Sequence, residues 1–257
     1  MQPAPQSNVQ NLQQDTGMSG GWLGRIAMIL LVGVVTAAPA SADGPRRKFK
    51  RLTGETVTSP DGRLRIEQYS RIIGDDVIHQ FWTFDQNRRG TLLNRGEDAD
   101  LAGYAAGFRF SPDSQWLVRM QKLGAGYHTL FLYRRNGDRF SSATPRPLGD
   151  LAWDFFFTLP ISRDMHRDPK DPYSLTHAQA VLLRGLEENY AWTGQRWPDS
   201  RYLVISLSFD IQGQEKPSPW IDGWRCVYDM KSGNFSIPSD FADHNARAFK
   251  LPGQSPQ

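Results

Sequence analysis

Three stretches of this chain repeat one another: SPDGRLRIEQY at 59–69, SPDSQWLVRM at 111–120 and WPDSRYLVISLS at 197–208. In each, proline presets φ for a turn, and the aspartate can bond its own backbone two residues on. Gly62, Ser114 or Ser200 then completes the reversal. A strand starts at once. Trp116, Val118 and Met120 share one face of the second strand. In the third, Tyr202, Val204 and Ser206 alternate with Leu203, Ile205 and Leu207. That strand is apolar on both faces for most of its length, which predicts a place inside a sheet.

The segments after each phrase recur too. An aromatic-rich strand comes next, VIHQFWTF (77–84), HTLFLYRR (128–135) and WRCVYDM (224–230). Then come a turn (85–90, 136–138, 231–234) and a short closing strand (91–93, 139–140, 235–238). Asn136-Gly137 is a strong hairpin signal. The three aspartates, Asp61, Asp113 and Asp199, lie 52 and 86 residues apart, the second interval about twice 43. A period of 40–50 residues is that of a propeller blade. Aromatics at 12%, with 23 Gly and 17 Pro, fit a turn-rich β protein.

The turn phrases and their spacing resemble the WD40-like repeats with an SPDG turn found in exported propeller proteins of the TolB type, over about half of residues 59–240. The resemblance implies blades used as interaction surfaces. It assigns no functional residue, because the motif is structural. The expected fold is all-β: a propeller-like stack or a sandwich of three or more similar antiparallel β units. LTHAQAVLLRGLEENYAW reads as a helical insertion near 175–190, with Ser174 as N-cap. A short C-terminal helix is expected over 239–251, with Phe241, Ala248 and Phe249 inward. WDFFF (153–157) reads as a buried strand.

The N-terminal part reads as a polar leader and signal peptide, 1–42, with Met18 as an alternative start. Arg25 precedes an apolar run at 26–38, and Ala40-Ser41-Ala42 fits a cleavage site, so a periplasmic or secreted protein beginning near Asp43 is expected. The alternative is a form anchored by residues 22–40, favoured by the basic cluster RRKFKR at 46–51. Membrane contact is expected only if 26–38 stays uncleaved. A basic linker at 43–58 precedes one β-rich domain, 59–251, which carries an insertion at 161–192 and ends in a flexible tail, 252–257.

The net charge of +3 gives no general case for nucleic acid. Cys226, the one cysteine, lies between Arg225 and Val227 and reads as an inert strand residue. Asp164, His166, Asp168 and Asp171 crowd one stretch, but Arg163, Arg167 and Lys170 compete for them, and their spacing matches no defined metal geometry. No G-x-S-x-G elbow or phosphate loop occurs. No catalytic residue, cofactor or metal is assigned.

The reading is an exported, non-enzymatic β-repeat module that contacts an envelope protein or polysaccharide through its loops. Trp220 and Trp224, in PWIDGW, which reads as a loop, offer stacking faces, and Arg163, His166 and Arg167 offer donors. The alternative is an exported carbohydrate hydrolase with paired carboxylates drawn from Asp154, Glu187, Glu188, Asp210 or Asp222. A third reading is an oligomer joined by strand edges.

Overall fold

The computed structural model describes residues 44–45, 47–93, 103–124, 127–163, 178–183, 199–209 and 220–250. The expected leader and C-terminal tail lie outside them. The described strands are β1 (Lys50–Arg51), β2 (Val57–Thr58), β3 (Leu64–Ile73), β4 (Asp76–Asp85), β5 (Gly90–Leu92), β6 (Ala106–Phe110), β7 (Trp116–Lys122), β8 (His128–Asn136), β9 (Arg139–Ser142), β10 (Gln179–Leu182), β11 (Tyr202–Phe209), β12 (Trp220–Asp229), β13 (Asn234–Ser236) and β14 (Phe249–Lys250). The helices are α1 (Leu148–Phe157) and α2 (Ala242–Ala248). Among the described residues no helix is long and apolar enough to cross a membrane.

The all-β class holds, and the strands fall into three like units. Each is a four-stranded antiparallel meander: β2-β3-β4-β5, β6-β7-β8-β9 and β10-β11-β12-β13. The Pro-Asp phrases open the second strand of every unit. That strand and the two after it match the expected pattern, whereas the strand before the turn was not foreseen. The stretch 43–58, expected as a linker, supplies β1 and β2, which both pair with β3.

The units stack face against face. Leu64, Ile66 and Phe81 of the first meet Phe108, Leu117 and Tyr133 of the second in one core cluster. Alternation along β7 sends Leu117 to that side and Val118 to the other. There Val118, Leu130 and Leu132 join Leu203, Ile205, Leu207 and Trp224 of the third unit in the larger core. A single parallel pairing, Gln179 with His128, also links the second and third units into one nine-stranded sheet. As expected, β11 is a central strand, between β10 and β12. Side-chain amides clamp the units: Gln68 exchanges two hydrogen bonds with the Ala106 backbone, at 2.7 and 2.9 Å.

Two local expectations are corrected. WDFFF is not a strand but the second half of α1. Its buried residues, Leu148, Ala152, Trp153 and Phe156, follow the helical period, and helical geometry lets one aromatic stripe face the core shared by units two and three. The helix read near 175–190 is a strand where it is described. Ala178, Ala180 and Leu182 are buried while Val181 is exposed, a period of two set by pairing with β11. Residues 184–198 lie outside the described set. The C-terminal helix is present as α2 after a short 3-10 turn, with Phe241 and Ala248 buried. It covers the edge of β12 between β13 and β14. There Asn245 pairs with the Arg225 backbone at 2.7 and 2.8 Å, and His244 contacts the Gly223 carbonyl at 2.7 Å.

Candidate functional site

The three Pro-Asp turns share their internal wiring. Asp61 Oδ1 accepts the Arg63 amide and the Ser59 hydroxyl. Asp113 Oδ1 accepts the Gln115 amide and the Ser111 hydroxyl. In the third copy Trp197 stands where the others have serine, and Asp199 Oδ1 takes two amides itself, those of Arg201 and Tyr202. The turns also touch in series. The Asp61 amide donates to Ser114 Oγ at 3.0 Å, and the Asp113 amide donates to Ser200 Oγ at 3.3 Å. Ser114 holds a left-handed φ of 61°, a conformation that costs a serine about 1 kcal/mol and that places its hydroxyl at the seam.

The two seams differ at one equivalent position. At the first, Arg135 reaches back from β8, and its Nη1 donates to Asp61 Oδ2 at 2.6 Å. Arg135 donates its amide to the Gln115 carbonyl, and Met230 donates likewise to Arg201, so Met230 holds the matching place in the third unit. Methionine offers no cation. At that second seam Asp113 Oδ2 has no partner among the described residues. A small pocket between the two units, with room for about one water, is lined by Arg109, Ser111, Trp116, Asp199, Leu203 and Met230. Trp116 is half-buried here, and its ring also carries the Arg134 guanidinium at 5.5 Å. Leu64 and Leu117, facing one another across the first seam, are fully buried. The first seam is closed by these leucines, and the second leaves a small pocket beside Met230.

Electrostatics mark the same edge. Burial acts to raise the Asp61 carboxyl, but the Ser59 hydroxyl, the Arg135 guanidinium and the Arg63 amide outweigh it and hold the group at about 2. Arg201 leads the groups that hold Asp229 at about 2 against its burial. Both values lie below the usual 3.8, so these groups stabilise the fold above about pH 4 and lose that contribution as pH falls through 2. In thermal unfolding, Asp61→Asn should therefore lower the midpoint at pH 6, and the gap to the parent should close between pH 4 and 2. A gap unchanged at pH 2 would refute the assignment.

The sequence-predicted binding residues are dispersed. Residues 220–224 are strand, not loop: Trp220 starts β12, opposite Lys250 of β14. Trp224 is 2% exposed and packs among Phe155 and Phe156. A stacking role for Trp224 is thus overturned, because the strand turns its ring into the core beneath α1. Arg163 is exposed after the short turn Pro160–Ser162. His166 and Arg167 lie outside the described residues. Of the acids named for hydrolysis, Asp154 is ion-paired with Arg146, and Asp222 is exposed on β12. Glu187, Glu188 and Asp210 lie outside the described residues. Among the described residues no group of three or more His, Cys, Asp or Glu is placed to hold a metal ion. Cys226 is buried on β12, and burial pushes its thiol up, which keeps it protonated. This difference between the two seams was not foreseen from sequence. Met230 in the place of Arg135 was the available signal, but finding it required the exact register of β8 and β12.

No family model and no curated protein matches the chain. Solved structures similar in shape include TolB from Acinetobacter baumannii, at 15% identity and a TM-score of 0.31, covering 74% of this chain and 33% of that one. Others are a putative TolB from Agrobacterium tumefaciens (15%, 0.30, 70% and 46%) and a puromycin-hydrolyzing peptidase from Mycobacterium tuberculosis (12%, 0.34, 74% and 32%). The chain covers 32 to 46% of the length of these proteins. The likeness is of shape alone, at low identity and partial coverage. The three-unit repeat stands on the chain's own pairing and turn wiring.

Proposed function

We propose that this chain is an exported, non-enzymatic β-repeat module that holds an envelope protein or a polymer at the outer edge of the seam between its second and third units. The observation that supports this reading is the substitution of Met230 for Arg135 within otherwise matching units. It leaves the Asp113 carboxylate without the cation that Asp61 has at the first seam, in a turn that also carries the half-buried Trp116. Surfaces with a half-buried aromatic flanked by polar groups are suited to recognition.

Two measurements test it. A photo-reactive phenylalanine analogue at Trp116 should give adducts with an envelope component in intact cells. The same analogue at Asp75, exposed in the β3–β4 turn, should not. N-terminal sequencing of exported material should begin near Asp43. Equal adducts from both positions, or none from Trp116, would overturn the seam as the binding surface. A product still carrying residues 26–38 and sedimenting with membranes would replace export with anchoring.

A further inference from the structure

We propose that the end of the fold at which β3 and β7 finish rests on an anionic phospholipid surface, with the β3–β4 hairpin supplying the apolar contact. This contact is separate from the seam and uses other residues. The β3–β4 ladder is unbroken from Leu64–Asp85 to Ile73–Asp76. In the second unit the matching ladder ends, among the described residues, at Lys122–His128, the equivalent of Ser70–His79. The first hairpin therefore runs on for three more rungs, from Arg71–Ile78 to its tip. No core lies alongside that extension, yet it carries Ile72, which is 75% exposed, and Ile73 and Val77, which are exposed too. Ile72 and Val77 are cross-strand partners and share one face.

Other groups converge on the same end. Gln68 is tied to the Ala106 backbone and Ala106 pairs with Gln121, so Tyr104 and Lys122 lie level with the start of the extension. Tyr104 is exposed, with the Lys122 ammonium 4.7 Å from its ring centroid. Four of the seven large hydrophobics exposed among the described residues are thus gathered here, unlike apolar groups scattered singly over a surface. Cations surround them. Lys50 pairs with Ser70, which puts it on the Ile72–Val77 face, and exposed Arg47 and Lys48 come just before it. Arg71 stands on the opposite face. Among the described residues none of these cations, nor Lys122, is in an ion pair.

Branched apolar side chains, a tyrosine and unpaired cations together suit the boundary of an anionic bilayer. The apolar groups enter beneath the headgroups, the tyrosine sits among them, and the cations meet phosphate. In sequence, β1 also follows the apolar run 26–38, read above as signal or anchor, so this strand comes next after a bilayer-directed segment. Carboxylates limit the depth. Glu55 accepts from Gln68 at 2.7 Å, Asp75 stands in the turn, and Asp76 faces away from the Ile72–Val77 pair. The contact is therefore shallow and side-on. The Pro-Asp turns lie at the other end of β3, about 30 Å away along a ten-residue strand, so docking leaves the seam edge pointing away from the lipid.

The test uses the full chain with a nitrobenzoxadiazole label at Val77→Cys or, for comparison, at Val181→Cys, an equally exposed position on β10. Cys226 is buried and stays unlabelled. With vesicles of phosphatidylglycerol and phosphatidylethanolamine in equal parts, the label at 77 should brighten and shift to the blue, and the label at 181 should not. This local readout reports the hairpin even where residues 26–38 also enter the vesicle. Phosphatidylcholine vesicles should give little response. Lys50→Gln combined with Lys122→Gln should weaken the response at 77 by about ten-fold or more and leave the thermal midpoint unchanged. No response at 77, equal responses at 77 and 181, or an equal response to phosphatidylcholine would overturn the proposal. A vesicle-independent change at 77 that grows with protein concentration, with dimers in sedimentation, would assign the patch to a second copy instead. Lipid adds no protein or polymer adduct, so this proposal and the seam reading fail separately.

Discussion

Truncating Trp224 to alanine is expected to destabilise the fold by about 3–5 kcal/mol, the range for deleting a buried aromatic. The ring is 2% exposed, lies edge-on to Phe156 at 5.0 Å between centroids, and sits 6.4 Å from Phe155. It therefore bridges β12 and α1 across the core of the third unit. Its neighbours are held by a strand and a helix, so collapse into the void will be incomplete. Trp116→Ala, at the second seam, should cost much less, because that ring is only half-buried. Urea unfolding of the two variants beside the parent settles the comparison. A Trp224→Ala cost below about 1 kcal/mol would mean that the helix and strand do not pack as described.

The second large effect runs against helix propensity. Gly149 lies in the first turn of α1, where alanine would ordinarily be favoured by about 1 kcal/mol. A Cβ there would come within 2.9 Å of both the Ala180 Cβ and the Leu130 amide nitrogen, and closer still to the Thr129 hydroxyl. Leu130 contributes backbone, which cannot step aside as a flexible side chain would. Seating the methyl requires α1 to lift from β8 and β10. That lift would weaken the hydrogen bonds from Tyr127 and Thr129 to Asp150, both 3.1 Å. Gly149→Ala should therefore destabilise by about 1–3 kcal/mol, the usual cost of overpacking. Hydrogen exchange should rise along α1 and leave β3 and β4 unchanged. A stabilised variant would show that the helix sits farther out.

Much of the repeat was legible because its signals are local. Proline, aspartate and a small residue specify a reversal whatever surrounds them, and alternation along β3, β7 and β11 records which side chains face a neighbour. The aromatic third strands and short fourth strands were legible because they recur in order after each turn phrase. The strand before each turn was harder to see. β2 has two residues, too few to show a period. β10 begins in a run whose Ala178, Leu182 and Leu186 fit a helix as well as a strand.

The chain's own letters, then, determined the kind of unit, its turns and how often it recurs. Tertiary structure decided which of two locally possible conformations each ambiguous segment took. Aromatic WDFFF became a helix because its stripe fills the core between two units, and residues 220–224 became a strand because β11 offered them an edge. The candidate site belongs wholly to this second level. Arg135 and Met230 are 95 positions apart in sequence and equivalent only through the register of two separate hairpins. Whether a seam carries an ion pair depends on a cation from one unit meeting a carboxylate from another. Such long-range pairing leaves no local pattern, because the free energy that selects it arises only once the units are stacked.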